Sequence, residues 1–229
     1  MPYLEWLHSN KPGHTAMRRL ILAATLSSLA SFAFPSLAHA GDQQRSAPAF
    51  TSIYVKGAIN VTVDRNAAQT LTVRGDEKFL NNLVSEVVGG ELRLSMRDDR
   101  MKTTTRGDER VIVGMPALRA FAAEGAGEIR LNDVRGERFD INYRGAGSLR
   151  ASGEVKTFSM KAEGVGEVDA KALLADNVDV TFRGVGDVRV HARKRLDAKV
   201  QGIGSLTYYG KPPVVNKSAS GLGSVDAGN

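Results

Sequence analysis

Cysteine is absent from the 229 residues. That excludes a thiol nucleophile, a zinc-thiolate or iron-sulfur site, a disulfide staple and an acylated lipoprotein cysteine. Tryptophan occurs once, and aromatic residues make up only 6% of the chain against 24 glycines. Glycine costs about 1 kcal/mol relative to alanine inside a helix, so this balance points away from a helix bundle and toward many tight turns. With 42% hydrophobic and 24% charged residues, the chain can bury one sizeable core and is not of disordered composition.

The first 40 residues read as a leader. Met17-Arg18-Arg19 is a short positive segment, Leu20 to Phe34 is apolar apart from Ser and Thr, and Pro35 breaks the run. Ala38-His39-Ala40 then supplies the small-x-small pattern that places cleavage between Ala40 and Gly41. Met17 is the expected start and residues 1–16 a surplus extension. Without the leader, 28 basic face 24 acidic side chains, a charge of +4, and His191 is the one histidine left. His-cluster metal sites are thereby excluded, and an exported chain of this charge lacks the concentrated basic footprint of a nucleic-acid binder.

What the chain has is a repeat. Gly-x-Gly recurs six times: Gly125 and Gly127, Gly145 and Gly147, Gly164 and Gly166, Gly184 and Gly186, Gly202 and Gly204, Gly221 and Gly223. The intervals between pairs are 20, 19, 20, 18 and 19 residues. Apolar residues recur with period 2 around each pair, as in strands. Examples are Ala123, Tyr143, Ala162, Phe182, Val200 and Ala219 before it, and Ile129, Leu149, Val168, Val188, Leu206 and Val225 after it. The residues between the glycines, Ala126, Ala146, Val165, Val185, Ile203 and Leu222, are apolar as well, and the apolar set is expected to point inward. A unit of this length cannot bury its own apolar face, but stacked copies can. The expected fold is therefore all-β: a single-stranded parallel β-helix or β-solenoid of about 18–20 residues per repeat, with all twelve glycines as structural bends. Immediately before the first glycines stand Glu124, Arg144, Glu163 and Arg183, whose alternating signs suit stacking in register.

Residues 50–118 have the same style in a less regular form. Strands are expected at Ile53–Val55, Ile59–Val63, Leu71–Val73, Val84–Val88, Glu91–Met96 and Val111–Val113, with a hairpin turn at Gly89-Gly90. Asp76 can cap a short helix through Val84, and Arg97–Asp108 reads as a polar loop. Residues 41–49 read as a short linker, 50–229 as one domain, and 121–227 as its regular repeats.

Several segments carry a family resemblance. They are Phe50-x-x-Ile53-x-Val55-x-Gly57, Gly75-Asp76-Glu77, Val113-x-Met115-Pro116-x-Leu118 leading into the glycine units, and Tyr208-Tyr209-Gly210-Lys211-Pro212. Together they resemble the bacterial putative auto-transporter adhesin family, head GIN domain, over roughly residues 48–229. The resemblance implies an exported β-helix-like domain of the periplasm or cell surface. The chain shows no C-terminal membrane barrel, so self-secretion is not expected.

Two constellations invite chemistry. Glu167 and Asp187 follow adjacent bends, and on neighbouring strands they would stand near the ~5–5.5 Å separation of retaining-glycosidase carboxylates. A carbohydrate-active enzyme on a β-helix is the alternative reading, and a solvated acidic rail is the plainer one. Arg189, His191, Arg193, Lys194 and Arg195 form a basic run that could contact an anion such as a lipid or lipopolysaccharide phosphate. No Gly-x-Gly has the third glycine or the following helix of a nucleotide loop, so the repeats are structural. The reading is a non-enzymatic exported scaffold without cofactor or metal, binding an envelope or cell-surface ligand. Self-association through its last repeat, with Leu222 and Val225 at the contact, is also expected.

Overall fold

A computed structural model describes residues 41–98 and 109–229, and they are nearly all β. The expected leader with Met17 and Ala40, and residues 99–108 of the expected polar loop, lie outside the described residues. Strands are β1 (Gly41–Gln44), β2 (Ser52–Lys56), β3 (Val61–Arg65), β4 (Thr70–Gly75), β5 (Leu83–Val88), β6 (Glu91–Met96) and β7 (Arg110–Met115). Extended backbone then continues from Ala120 to Tyr209 as β8, and β9 spans Val214–Ala227. The one helix among the described residues, α1 (Glu77–Asn82), is capped by Asp76, whose carboxylate accepts from the Phe79 amide at 2.8 Å.

The register follows the repeat. β9 pairs in parallel with the end of β8, matching Arg195 with Val214, Gly202 with Gly221, Gly204 with Gly223 and Tyr208 with Ala227, nineteen residues apart. Within β8 the glycine pairs lie against one another in the same way. Gly145 lies on Gly125 and Gly147 on Gly127, Gly164 on Gly145, Gly184 on Gly164, and Gly202 on Gly184. The inward set after the glycines, Ile129, Leu149, Val168, Val188, Leu206 and Val225, is buried throughout, at 5% exposure or less. Farther round each repeat, Phe139 and Phe158 stack with ring centroids 6.1 Å apart, one repeat removed from each other. Such stacking adds about 0.5–1.5 kcal/mol to the burial of the rings.

The N-terminal strands extend this stack, but out of chain order. β2 and β3 pair in parallel with Ala120–Glu124 and Ile129–Asn132 of β8, so Gly57 and Ile59 stand where a glycine pair would. β6 and β7, later in the chain, pair in parallel with the opposite edges of β2 and β3. The antiparallel partners β5 on β6 and β4 on β7 then cover that layer, with Gly89-Gly90 forming the hairpin turn between β5 and β6. Gly41–Gln44, expected within a linker, instead pairs antiparallel with β4 from Gly41↔Gly75 to Gln44↔Thr72. Its residues are polar and exposed, so no alternation of apolar side chains marks it as a strand.

Candidate functional site

The glycine corners organise the surface. At Gly184 and Gly186 φ is 146° and 145°, a region that essentially only glycine enters. A Cβ on either would collide with the carbonyl oxygen of Gly164 or Gly166 one repeat earlier. Glycine is thus required twice over, by backbone angle and by approach. Gly147 and Gly204 meet the same two demands, with φ of 137° and 153° and the carbonyl oxygens of Gly127 and Gly186 beneath them.

Two features of the expected bends are corrected. First, they interrupt no strand. The pairs from Gly125 and Gly127 to Gly202 and Gly204 lie inside β8, and Gly221 and Gly223 lie inside β9. The backbone stays in strand through each pair, so no separate turn forms. Second, Gly223 does not share the backbone angle, because its φ is outside the positive region that the other eleven occupy. A Cβ there would meet the Val200 Cγ1 at 2.9 Å and the Gly204 carbonyl oxygen at 3.4 Å. At Gly223, space alone favours glycine.

The residue between the glycines does not point inward. Val165, Val185, Ile203 and Leu222 are 58%, 46%, 53% and 81% exposed, and Ala126 and Ala146 are exposed too. Ala123 and Ile129 on either side of the glycines are buried, whereas the residue between the glycines stands at the opposite parity and faces solvent. The expectation that these six positions join the core is corrected. They form a solvent-facing aliphatic row, one residue per repeat.

Charged columns flank this row. On one side the Arg144 guanidinium donates to Glu163 at 3.2 Å, Arg183 stands 3.6 Å from the same carboxylate, and Arg183 donates to Gln201 at 2.7 Å. On the other side Glu128 accepts from Arg130 at 2.6 Å and from Arg150 at 2.9 Å. Glu167 and Asp187 do follow adjacent corners, but both are engaged. Arg189 pairs with Glu167, and the Ser205 hydroxyl donates to Asp187 at 2.6 Å. Among the described residues, no group of three or more His, Cys, Asp or Glu could hold a metal ion.

The basic run is also paired internally. Besides Arg189 with Glu167, Arg193 donates to Glu154 at 2.5 Å, Lys194 to Asp176 at 2.7 Å and Arg195 to Asp197 at 2.6 Å. The Lys194 bond holds the Asp176 carboxyl below its usual range, and bonds from Arg195 and then Asn216 do the same to Asp197. His191 packs under Gly210, where a glycine Cβ would strike its ring. Burial, with the positive charge of Arg193, pushes its imidazole below the ordinary 6.5.

Sequence reasoning passed over Tyr54. It is half-buried in the less regular part of the chain and lines a shallow cavity of about 220 Å³ with Ala122, Asn142, Tyr143 and Lys161. Burial and the Glu124 carboxylate beside it raise the Tyr54 phenol above its ordinary value. The small Ala122 between larger neighbours opens the dip, a feature of cross-strand neighbours that linear spacing does not display. Tyr209 is covered by Lys171, whose ammonium lies 4.0 Å from the ring centroid.

Extended strands, stacked glycines and an exposed aliphatic row define an all-β repeat protein. The chain belongs to the family described as "Putative auto-transporter adhesin, head GIN domain", whose model matches residues 49–212. It is similar in structure to a putative adhesin from Bacteroides fragilis, with 20% identity, a TM-score of 0.67 and coverage of 81% of this chain and 95% of that one. Putative adhesins of Parabacteroides merdae (14% identity, TM-score 0.48, coverage 83% and 97%) and Parabacteroides distasonis (18%, 0.45, 82% and 96%) are also similar. At these identities the likeness to Bacteroides fragilis concerns the fold alone. No curated protein matches the chain. No helix among the described residues is long and apolar enough to cross a membrane.

Proposed function

We propose that the chain is an exported, non-enzymatic β-solenoid that serves as a binding scaffold at the bacterial envelope. The single observation that carries this reading is the aliphatic row. Six exposed corner positions in succession are apolar where the fold demands only that the residue fit between two glycines. Contiguous apolar surface rimmed by polar groups marks an interaction site. The stacked glycines and the nineteen-residue register support winding as a solenoid. The leader motif and the adhesin-like family support export to the periplasm or surface. Glu167 and Asp187, the pair a glycosidase reading would use, are held by Arg189 and Ser205.

The test is co-sedimentation of the exported protein with envelope fragments. Wild type is expected to pellet with them, and Val185→Asp with Ile203→Asp is expected to stay in solution at an unchanged melting temperature. Equal pelleting of the two proteins, or none by wild type, overturns the reading.

A further inference from the structure

The aliphatic row grows along the stack. It runs Ala126, Ala146, Val165, Val185, Ile203, Leu222 from the first corner to the sixth. A surface that meets an unrelated partner has no need of such a gradient, whereas a surface that meets its own copy head to tail does. With the two rows antiparallel, Ala126 faces Leu222 of the second copy, Ala146 faces Ile203 and Val165 faces Val185. Every small residue then opposes a large one, and the gap between the rows stays even. With parallel rows alanine faces alanine at one end and leucine faces leucine at the other, which leaves a wedge. The glycines on either side of each aliphatic residue carry no side chain that would hold a second row away.

We propose that this row seats a second copy of the chain, antiparallel, about a two-fold axis passing between the Val165 and Val185 corners. The proposal rests on the solenoid and contact-surface reading above, and it names the partner. Charge supports the same orientation. A two-fold across the rows sets each flanking column against itself reversed, bringing Glu163 opposite Arg183 of the second copy, twice by symmetry. A two-fold along the rows would instead set Glu124 against Glu128 and Glu163 against Glu167, two like-charged meetings that outnumber its one opposite pair, Arg183 with Asp187. The like-charged meeting in the antiparallel arrangement is Glu167 with Asp187, also twice by symmetry, and these carboxylates are already bonded to Arg189 and Ser205. An anionic lipid surface fits less well, because Glu124, Glu163, Glu128, Glu167 and Asp187 all border the row.

The absence of cysteine makes the orientation directly readable. Ala126 and Leu222 stand five repeats apart, about 24 Å at ~4.8 Å per step, too far for a disulfide within one chain. Under mild oxidation the double variant Ala126→Cys/Leu222→Cys is expected to form covalent dimers, and neither single variant is. Alongside, sedimentation equilibrium of wild type is expected to show a dimer that Val185→Asp weakens by about tenfold or more, through loss of apolar contact and burial of a charge. Dimers from the single variants would mean parallel rows and overturn the proposal. Self-association of wild type without cross-linking of the double variant would place the contact elsewhere and overturn it equally. A wild type that stays monomeric at high concentration, yet still pellets with envelope fragments, would sink this proposal while leaving the scaffold reading in place.

Discussion

The carbonyl oxygen of Gly164 lies against the Cα of Gly184, where a side chain would begin. Gly136 has nearly the same backbone angle, φ 155° against 146°, but its nearest obstacle is the Arg138 carbonyl oxygen at 4.0 Å. Comparing the two therefore separates backbone strain from the contact between repeats. Gly184→Ala is expected to cost about 3 kcal/mol or more, from positive-φ strain plus collision with backbone, and Gly136→Ala about 1 kcal/mol from strain alone. Urea midpoints of the two variants measure the difference. Equal losses would mean that the repeats are not in contact at that corner.

Tyr143 faces the core at 6% exposure, and its hydroxyl has no hydrogen-bond partner. Burial raises its phenol above the ordinary value. Leaving a buried hydroxyl unpaired costs more than removing it, so Tyr143→Phe is expected to be neutral or stabilising by up to about 1 kcal/mol. Chemical denaturation decides the sign. A clear loss of stability would show that the hydroxyl is solvated by a trapped water.

His191 gives stability a dependence on pH. Its folded-state value lies below the 6.5 of the unfolded chain, because burial and the charge of Arg193 disfavour the imidazolium. Below 6.5 the unfolded chain takes up a proton that the folded chain resists, so stability is full above 6.5 and falls as the pH drops toward the folded value. His191→Gln is expected to flatten the curve of melting temperature against pH in that window. The carboxylates of Asp176 and Asp197, lowered by their partners, contribute stability present above 3.8 that is lost at still lower pH. The two phases should therefore be separable. An unchanged slope in the variant would assign the upper phase to another group.

Glu163 joins Arg144 and Arg183 across three repeats, but its side chain is 41% exposed. Solvent screens such pairs, so Glu163→Gln is expected to lower stability by less than about 1 kcal/mol, and in ~1 M salt by nothing measurable. Thermal melts at low and high salt check this. A large loss that persists in salt would give the column a structural weight that exposed pairs do not carry.

The regular part of the fold was legible because glycine spacing and period-2 alternation both repeat at one interval, and either alone places Ile129, Leu149 and Val168 inside. The capped helix at Asp76 was legible for the same local reason, a capping residue followed by helical spacing. Apolar identity at Val165 and Ile203 suggests burial, but their parity, opposite to that of Ala162 and Val168 or Val200 and Leu206, assigns them outward. The angle at Gly223 is not legible from the motif, since Gly221 in the same repeat keeps a positive φ of 88° and Gly223 does not. The N-terminal order was not legible. Nothing local says that β6 and β7 lie beyond β2 and β3, since a parallel pairing is fixed by cross-strand packing between segments 39 and 50 residues apart. The acidic pair is legible as one position on adjacent repeats and the basic run as sequence neighbours, but their partners, Arg189 for Glu167 and Glu154 for Arg193, lie on other repeats.

Because each corner rests on the corner one repeat before it, the molecule has a natural unit of length. Excising residues 164–183 would bring the Gly184 corner directly onto Gly145, with Ala151 and Val190 in the same inward column and no reversal of which side chains face out. Insertions of a whole repeat would be accommodated the same way, whereas the loss of a single residue between a glycine pair and the inward residues that follow it would turn that strand inside out. Variation in size among related chains should therefore come in steps of one turn, and a longer chain would present a longer row at its corners without any new architecture.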